Sequence, residues 1–353
     1  MPNRSSRGAP RSLGLMIGAN AGSGEHDAWS ASVFFSVRSP PGADPSLPCE
    51  TTARAASDTV QYETSGSRER CQSRVEVPVK TLPALTDRLR VGRGVQLSPV
   101  CLGMTSAWRV VGAAFEAGIN TFFLTADMHW PLYEPLRKGL RDLLRKKNVR
   151  SQISVVATAY VTQPDFCVAP FEEVLEAVPG LKTLDVLCAG GVYGSDYPGR
   201  WPIYQGHRRA RFLGCGAVGA SFHERETARE ALAASAVDLA FIRFNAAHPG
   251  AQTEILERLP ARQRRAIYSF KNMSAWVSPQ RLFDLGLSQD QWVPDPVDHY
   301  RFAFSTPGIS GVLASFDRPD EIRALADALQ VGPMSVAERN YMMRLSQADA
   351  QSP

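Results

Sequence analysis

The sequence has few of the features that would commit it to a metal, a membrane or a nucleic acid. Its six cysteines form no Cys-x-x-Cys pair and have no histidine at zinc spacing. No apolar run reaches the roughly 18 residues that a membrane span needs. The net charge of +4 is small, and the arginines are scattered rather than gathered in a stripe. These absences predict a cytoplasmic protein with reduced thiols and no bound metal. They also predict a small-molecule substrate, with neither nucleic acid nor membrane as a partner, and leave the oligomeric state open.

The first quarter of the chain differs in composition from the rest. Residues 1 to about 85 are rich in Ser, Arg, Gly, Pro and Ala, with turn formers such as Ser39-Pro40-Pro41-Gly42 and no sustained periodicity. The stretch from Asn3 to Arg11 is basic, but it lacks the apolar core of a secretion signal. We therefore expect residues 1–85 to be a disordered extension, or the result of a start codon placed too far upstream.

From about Leu89 short apolar segments alternate with amphipathic ones. The apolar segments are rich in Val, Leu, Ile, Phe and Ala, as strands buried on both faces should be. The predicted strands are Val100–Gly103, Thr121–Leu124, Ile153–Ala159, Leu184–Ala189, Phe212–Val218, Val237–Arg243, Arg265–Ser269 and Ser310–Ala314. The predicted helices are Trp108–Ala117, Glu134–Arg145, Phe171–Val178, Glu224–Ala234 and Thr253–Leu259. Eight alternations in about 250 residues predict a closed (β/α)8 barrel over residues 86–350. An open doubly wound sheet is the alternative, although Leu102-Gly103-Met104 lacks the further glycines of a dinucleotide fingerprint.

Six segments between Arg88 and Gln347 resemble, in order, the aldo/keto reductase superfamily. They are RVGRGVQLSPVCLGM, AAFEAGINTFFLTADMHW, RFLGCGAVGASF, FIRFNAAHPGAQTEIL, AIYSF and RFAFSTPGISGVLASFDRPDEIRALADAL. The first is similar to the family's floor hairpin and first strand, and the last to the closing helix–strand–helix unit. The resemblance implies the α/β TIM-barrel fold of that family.

The resemblance also implies where four catalytic residues should lie, and this chain has other residues there. The family's aspartate and tyrosine correspond to Leu124 and His129, its lysine to Ala159, and its histidine to Gly190. A phenol donates its proton near neutral pH only when charged neighbours lower its pKa. Leu124 and Ala159 carry no charge, so we do not expect the family's tyrosine-driven carbonyl reduction.

The family's cofactor would be NADP(H), and its binding residues are also changed. Phe222 and Phe241 replace an asparagine and a glutamine that hold the nicotinamide, and Asp317 stands in the turn that usually binds a phosphate. NADP(H) is therefore possible but doubtful. The residues that we predict to bind it are Ser221, Tyr268, which could stack on the nicotinamide, Ser315 and Arg318.

Polar residues cluster after the predicted strands, where barrel enzymes have their active sites. His129 is the predicted acid–base residue because an imidazole titrates near neutrality. Asp127 could orient it, or it could bond loop amides, as such residues often do. Lys271 could form a Schiff base or be solvated. Further candidates after the strands are Trp130, Tyr133, Tyr160, Tyr193, Asp196, His223, Glu224, Asn245, His248 and Asn272. A metal held by His129, His223 and His248 has no support from local spacing.

Three functions follow from these observations. The first is a diverged NADP(H)-dependent oxidoreductase of a small carbonyl or alcohol, with His129 in the acid–base role. The second is a non-redox barrel enzyme, a lyase, isomerase or hydrolase, with a new acid–base site. The third is an inactive pseudoenzyme that acts as a scaffold. The segments Gly190–Gly206 and Lys271–Asp298 are predicted to be long loops, whose aromatic residues suggest an apolar or planar substrate.

Overall fold

The computed structural model of the protein describes residues 81–260 and 265–351. The predicted N-terminal extension, residues 1–85, lies almost wholly outside the described residues. Leu82 and Leu85, at the start of the described part, are buried with the core. Within the described ranges no helix is long and apolar enough to cross a membrane.

Eight parallel strands close into a barrel, as predicted. Strands β3 to β10 form the barrel in the order β10-β3-β4-β5-β6-β7-β8-β9, and β1 and β2 form an antiparallel hairpin. The strands are β1 Leu89–Val91, β2 Val95–Leu97, β3 Val100–Leu102, β4 Thr121–Thr125, β5 Ser154–Ala159, β6 Val186–Val192, β7 Ala217–Phe222, β8 Leu239–Arg243, β9 Ala266–Phe270 and β10 Gly311–Ala314. Their side chains are almost all buried, because the helical layer covers the outer face and the opposite strands cover the inner one.

The helices follow the strands and form the outer layer. The α-helices are α1 Val110–Glu116, α2 Glu134–Leu144, α3 Pro170–Ala177, α4 Tyr197–His207, α5 Arg225–Ala233, α6 Pro279–Asp284, α7 Pro296–Phe304, α8 Pro319–Gln330 and α9 Val336–Gln351. Short 3-10 turns occupy Trp130–Tyr133, Arg150–Gln152, Pro164–Phe166 and Asn272–Ala275, and a π turn occupies Gln252–Leu256.

The β1–β2 hairpin closes the floor of the barrel. At its tip Gly92 adopts a positive φ of 50°, and a Cβ there would collide with the carbonyl oxygen of Gly216. Only glycine fits this close approach of two backbones. On the other side the Gln96 carbonyl accepts hydrogen bonds from Asn120 Nδ2 at 3.0 Å and Ser154 Oγ at 2.8 Å. The hairpin is thus fastened to both sides of the barrel.

Large side chains fill the interior between floor and mouth. The rings of Phe123 and Phe241 come from opposite strands and meet at 5.2 Å, which shows that both point inward. Tyr268 lies 5.7 Å from Phe241, and its hydroxyl donates to the Ser98 carbonyl near the floor at 2.7 Å. The cysteines of the described part are free and buried, as predicted for small core residues: Cys101, Cys167, Cys188 and Cys215.

Three segments differ from the sequence predictions. Strand five was predicted at Phe212–Val218, but β7 begins at Ala217. Phe212 lies in a loop with 64% of its surface exposed, and Leu213 has a left-handed φ of 50°. The predicted loop Gly190–Gly206 instead contains the end of β6 and helix α4. The predicted loop Lys271–Asp298 contains the 3-10 turn Asn272–Ala275, helix α6 and the first residues of α7.

Tertiary packing accounts for α4. Its Pro and Gly content favours a loop, but three side chains along one face, Arg200, Trp201 and Tyr204, are buried against the barrel. This burial outweighs weak local propensity. The remaining predicted strands and helices agree with the structure to within about three residues at each end.

Candidate active site at the barrel mouth

Side-chain alternation decides which residues line the mouth. Because Phe123 faces the interior, Thr125 does so too, and Leu124 faces the helices. On β5 the chain turns Tyr160 toward the mouth and Ala159 outward. The side chains that face the mouth are therefore those of Thr125 and Tyr160. Each lies one residue beyond the position that the resemblance implies, Leu124 and Ala159. Neither of them carries a carboxylate or an ammonium group.

The Tyr160 ring rests on two glycines at the end of β6. A Cβ on Gly190 would lie 2.9 Å from the ring, and one on Gly191 would lie 3.2 Å from it. Gly191 has a φ of 60°, and the pairing of β6 with β7 shifts register here. The His129 ring meets Tyr160 edge to face, with centroids 5.6 Å apart. Glycine in place of a larger side chain thus makes room for a phenol beside an imidazole.

Asp127 holds the two loops that carry this pair. Its Oδ2 accepts from the amides of Tyr160 at 2.6 Å and Val161 at 3.1 Å, and its Oδ1 accepts from the Met128 amide at 2.6 Å. The sequence allows two roles for Asp127, orienting His129 or binding loop amides, and these hydrogen bonds correspond to the second. Asp127 acts on His129 through charge, since it opposes the lowering of the His129 pKa by burial and by Lys271.

A second histidine lies across the mouth. His223 follows β7 and stacks on Tyr193, with ring centroids 5.1 Å apart and planes 13° apart. Burial lowers the pKa of His223, Lys271 and Arg243 lower it further, and Asp196 opposes them. A histidine with a lowered pKa is neutral at physiological pH and can accept a proton.

Lys271 and Arg243 give the mouth its positive charge. Lys271 adopts a left-handed conformation, φ 57° and ψ 34°. Its carbonyl accepts from Asn245 Nδ2 at 2.7 Å and from Ser274 Oγ at 2.8 Å, so its backbone is fixed. The residue is exposed, which does not favour a Schiff base, because such lysines are usually desolvated. Arg243, the last residue of β8, was not among the predicted site residues. Its alternation with inward-facing Phe241 could have identified it.

Arg200 is the other residue that sequence reasoning missed. It is buried to 1% exposure, and its Nη2 donates to the carbonyls of Ala159 and Gly190, at 3.0 Å each. Its Nη1 pairs with Asp196 at 3.2 Å. A buried guanidinium therefore holds the ends of β5 and β6 together, next to the glycines on which the Tyr160 ring packs. No local pattern identifies Arg200, because the Pro and Gly content of its segment predicts a loop.

The turn after β10 does not suit the phosphate of NADP(H). Glu321 accepts from the amides of Asp317 and Arg318 at the start of α8, at 2.8 and 3.2 Å, where a phosphate would bind. Arg318 is exposed and paired with Asp320 and Glu321. Three acids and one paired arginine would repel a phosphate, and the exposed Ser315 adds no charge.

The residues that the resemblance places beside the nicotinamide ring do not suit that ring either. Tyr268 is fully buried with its hydroxyl bonded near the floor, so it has no free face on which a nicotinamide could stack. The predicted stacking is therefore not met by this geometry. Phe222 and Phe241 are also buried, and Ser221 on β7 is 8% exposed. The described residues thus do not form the cofactor site that the resemblance implies.

No metal centre is evident at the mouth. Within residues 81–260 and 265–351 no three His, Cys, Asp or Glu side chains are grouped to hold an ion. His248 lies in a turn, where its amide donates to Asn245 Oδ1 at 2.8 Å.

The closed barrel, its floor hairpin and the polar mouth define a (β/α)8 barrel of the aldo/keto reductase type. The chain is similar to aldo-keto reductase AKR11C1 from Bacillus halodurans, with a TM-score of 0.58 and 13% identity over 74% of this chain and 97% of that one. It is also similar to an aldo-keto reductase from Klebsiella pneumoniae in complex with NADPH, with a TM-score of 0.57 and 12% identity over 74% and 95%. A glycerol dehydrogenase from Gluconobacter oxydans gives a TM-score of 0.54 and 13% identity over 76% and 97%. At these identities the likeness is one of fold. No protein-family model matches the chain, and no curated protein does.

Proposed function

We propose that the barrel mouth catalyses proton transfer on a small carbonyl compound without a bound nicotinamide, as an isomerase or lyase does. The observation that carries this proposal is the contact between His129 and Tyr160, at 5.6 Å between ring centroids, at the carboxyl ends of β4 and β5. Barrel enzymes use this end of the fold for their chemistry.

The two rings suit opposite tasks. Burial lowers the pKa of His129, so its imidazole is neutral at physiological pH and acts as the general base. Burial raises the pKa of Tyr160, so its phenol keeps its proton and donates a hydrogen bond. His129 takes the proton from the carbon beside the carbonyl, and the electron pair moves into an enolate. Tyr160 stabilises the negative oxygen, and His129 returns the proton to the same carbon or a neighbouring one.

The charge at the mouth favours an anionic substrate. Lys271 lowers the pKa of both His129 and His223, and Arg243 lowers that of His223, so both cations act on the mouth. Together they would also offset the charge of an enolate. Small oxo acids meet both requirements, since they carry a carboxylate and a carbonyl.

Deuterium exchange tests the proposal. Pyruvate and 2-oxobutyrate are incubated with the protein in D2O, and loss of the proton signal beside the carbonyl is followed by NMR. We expect exchange above the buffer rate, and a loss of about 100-fold or more in His129→Asn. His207→Asn is the matched control, because His207 lies at the end of α4 beside the Leu213 carbonyl, away from the mouth. Equal rates in His129→Asn and wild type would refute the assignment of the base.

NADPH-dependent carbonyl reduction is the second candidate. It is favoured by the fold, which the chain shares with an aldo-keto reductase solved in complex with NADPH. In that case NADPH at about 1 mM, the upper end of usual KM values, would change the protein's thermal midpoint and the NADPH fluorescence. We expect neither change, because the phosphate turn carries three acids. A saturable fluorescence change would favour this candidate over the first.

A further inference from the structure

A cavity of about 450 Å³ opens at the floor end of the barrel, away from the mouth. Its walls are residues 182–184 before β6 and the loop of residues 210–215 before β7, together with Leu175 of α3 and Arg208. These segments precede their strands, whereas the residues of the candidate active site follow theirs. Pockets that bind small molecules usually measure about 300–1,000 Å³, so this cavity is large enough for such a ligand.

Hydrogen bonds fix both walls of the cavity. Arg150 Nη2 donates to the carbonyl and the hydroxyl of Thr183, at 2.8 and 3.1 Å. On the other wall, Arg93 of the floor hairpin donates to the Arg208 carbonyl at 2.7 Å. In the same loop Leu213 has a left-handed φ of 50°, a strained conformation for a bulky residue that persists only where the surroundings impose it. The cavity is therefore formed before a ligand arrives, which lowers the entropic cost of binding.

The charge around the cavity is positive. Lys182, Arg208 and Arg211 line it, and no acidic residue of the described part does. Asp238 neutralises Arg208 through an ion pair at 2.8 Å. Lys182 and Arg211 are exposed, and neither forms an ion pair with any residue in the ranges 81–260 and 265–351. These two charges match a phosphate monoester, which carries about −1.5 to −2 at neutral pH, better than they match a single carboxylate.

The rest of the lining is apolar and includes an exposed aromatic ring. Phe212 has 64% of its surface exposed, although it is among the most apolar residues of its loop. Leu175, Leu184 and Leu213 complete this part of the lining. A flat ring can stack on a phenyl side chain and bury part of its surface against neighbouring leucines. The cavity thus offers a ring site next to an anion site.

We propose that this cavity binds the phosphate monoester of a planar ring compound, with the phosphate beside Lys182 and Arg211 and the ring on Phe212. The site is separate from the barrel mouth and does not depend on the proposed function. The floor end of such barrels serves stability rather than chemistry, so the ligand is bound here and not transformed. A dinucleotide such as NADPH is larger than the cavity and is not its ligand.

The test uses 1-naphthyl phosphate as the probe, titrated into the full chain and followed by calorimetry. We expect saturable binding at a single site. Hydrogen bonds to a charged group are lost in Lys182→Met and in Arg211→Met, so each should weaken binding by about 5-fold or more. Loss of the stacked ring in Phe212→Ser should weaken it by about 3-fold or more. 1-Naphthyl sulfate carries less charge than the phosphate and should bind about 5-fold or more weakly.

Arg209→Met is the matched control, since Arg209 is exposed on the same loop and does not line the cavity. It should keep the wild-type affinity, as should His129→Asn at the mouth. Lack of saturation at about 1 mM probe, or unchanged affinity in the double variant Lys182→Met/Arg211→Met, overturns the proposal. An equal loss in Arg209→Met would show a general attraction of anions, and a loss confined to His129→Asn would place the probe at the mouth. Either result also overturns the proposal.

Discussion

The close packing of the Tyr160 ring on Gly190 gives the sharpest prediction, which is tested by Gly190→Ala. The added Cβ would lie 2.8 Å from Thr158 Cγ2 and 2.9 Å from two carbons of the Tyr160 ring. Carbon atoms normally pack at 3.5–4.0 Å, so the ring must move by about 0.7 Å. Overpacking of this kind costs about 1–3 kcal/mol. We therefore expect the thermal midpoint to fall by roughly 2–12 °C.

A second variant and a control isolate the cause. In Gly190→Ala combined with Tyr160→Ala, the ring is gone, so the part of the loss in midpoint that the ring causes should be recovered relative to Tyr160→Ala alone, and only the part due to the Thr158 Cγ2 contact should remain. Gly112→Ala is the matched control, since Gly112 lies inside α1 and its Cβ would meet no atom within 4 Å. It should stabilise the protein by about 0.5–1 kcal/mol. If Gly190→Ala melts at or above the wild-type temperature, the Tyr160 ring does not pack on Gly190 as we describe.

Three further predictions concern cations and pH. Arg200→Met removes two hydrogen bonds to strand carbonyls and leaves Asp196 without its buried partner, so it should lower the free energy of unfolding by about 3–5 kcal/mol in urea titrations; exposed Arg209→Met should change it by less than about 0.5 kcal/mol. Burial lowers the pKa of His299 to about 4, so the folded state holds it neutral. Its stabilising contribution is complete above about pH 6.5 and is lost as the pH falls toward 4, by about 3 kcal/mol; His299→Leu should flatten this part of the stability–pH curve, and an unchanged slope would contradict the assignment. Arg318→Ala should leave the response to NADPH unchanged in fluorescence titrations, whereas a clear weakening would show that Arg318 binds the phosphate after all.

The barrel could be predicted because its signal is repeated. Eight apolar segments at regular spacing predict eight buried strands, and seven of them are confirmed to within about three residues at each end. Strand five is the exception. The run from Phe212 to Phe222 is apolar and glycine-rich throughout, so either its first or its second half could form the strand. Only the left-handed conformation of Leu213 and the contacts of Gly216 with the hairpin exclude a strand that begins at Phe212.

The mouth was harder to predict, because its geometry depends on residues distant in sequence. The sequence puts His129 and Lys271 after barrel strands, and in the structure Lys271 is close enough to His129 to lower the pKa of the imidazole. The inward direction of Thr125 follows only from the contact of Phe123 with Phe241, which lie 118 positions apart in the numbering. Arg200 lies on a helix whose local sequence favours a loop. Neither feature has a local signature.

The hairpin under the barrel also constrains how any reaction here proceeds. With Gly92 close against the backbone beside Gly216, and Gln96 hydrogen-bonded to two other strands, the described residues close that end of the barrel. Substrate and product must then share one opening, and each has to leave before the other can enter. A catalyst built on this plan should show competitive inhibition by its own product, and it cannot pass an intermediate through itself to a second site.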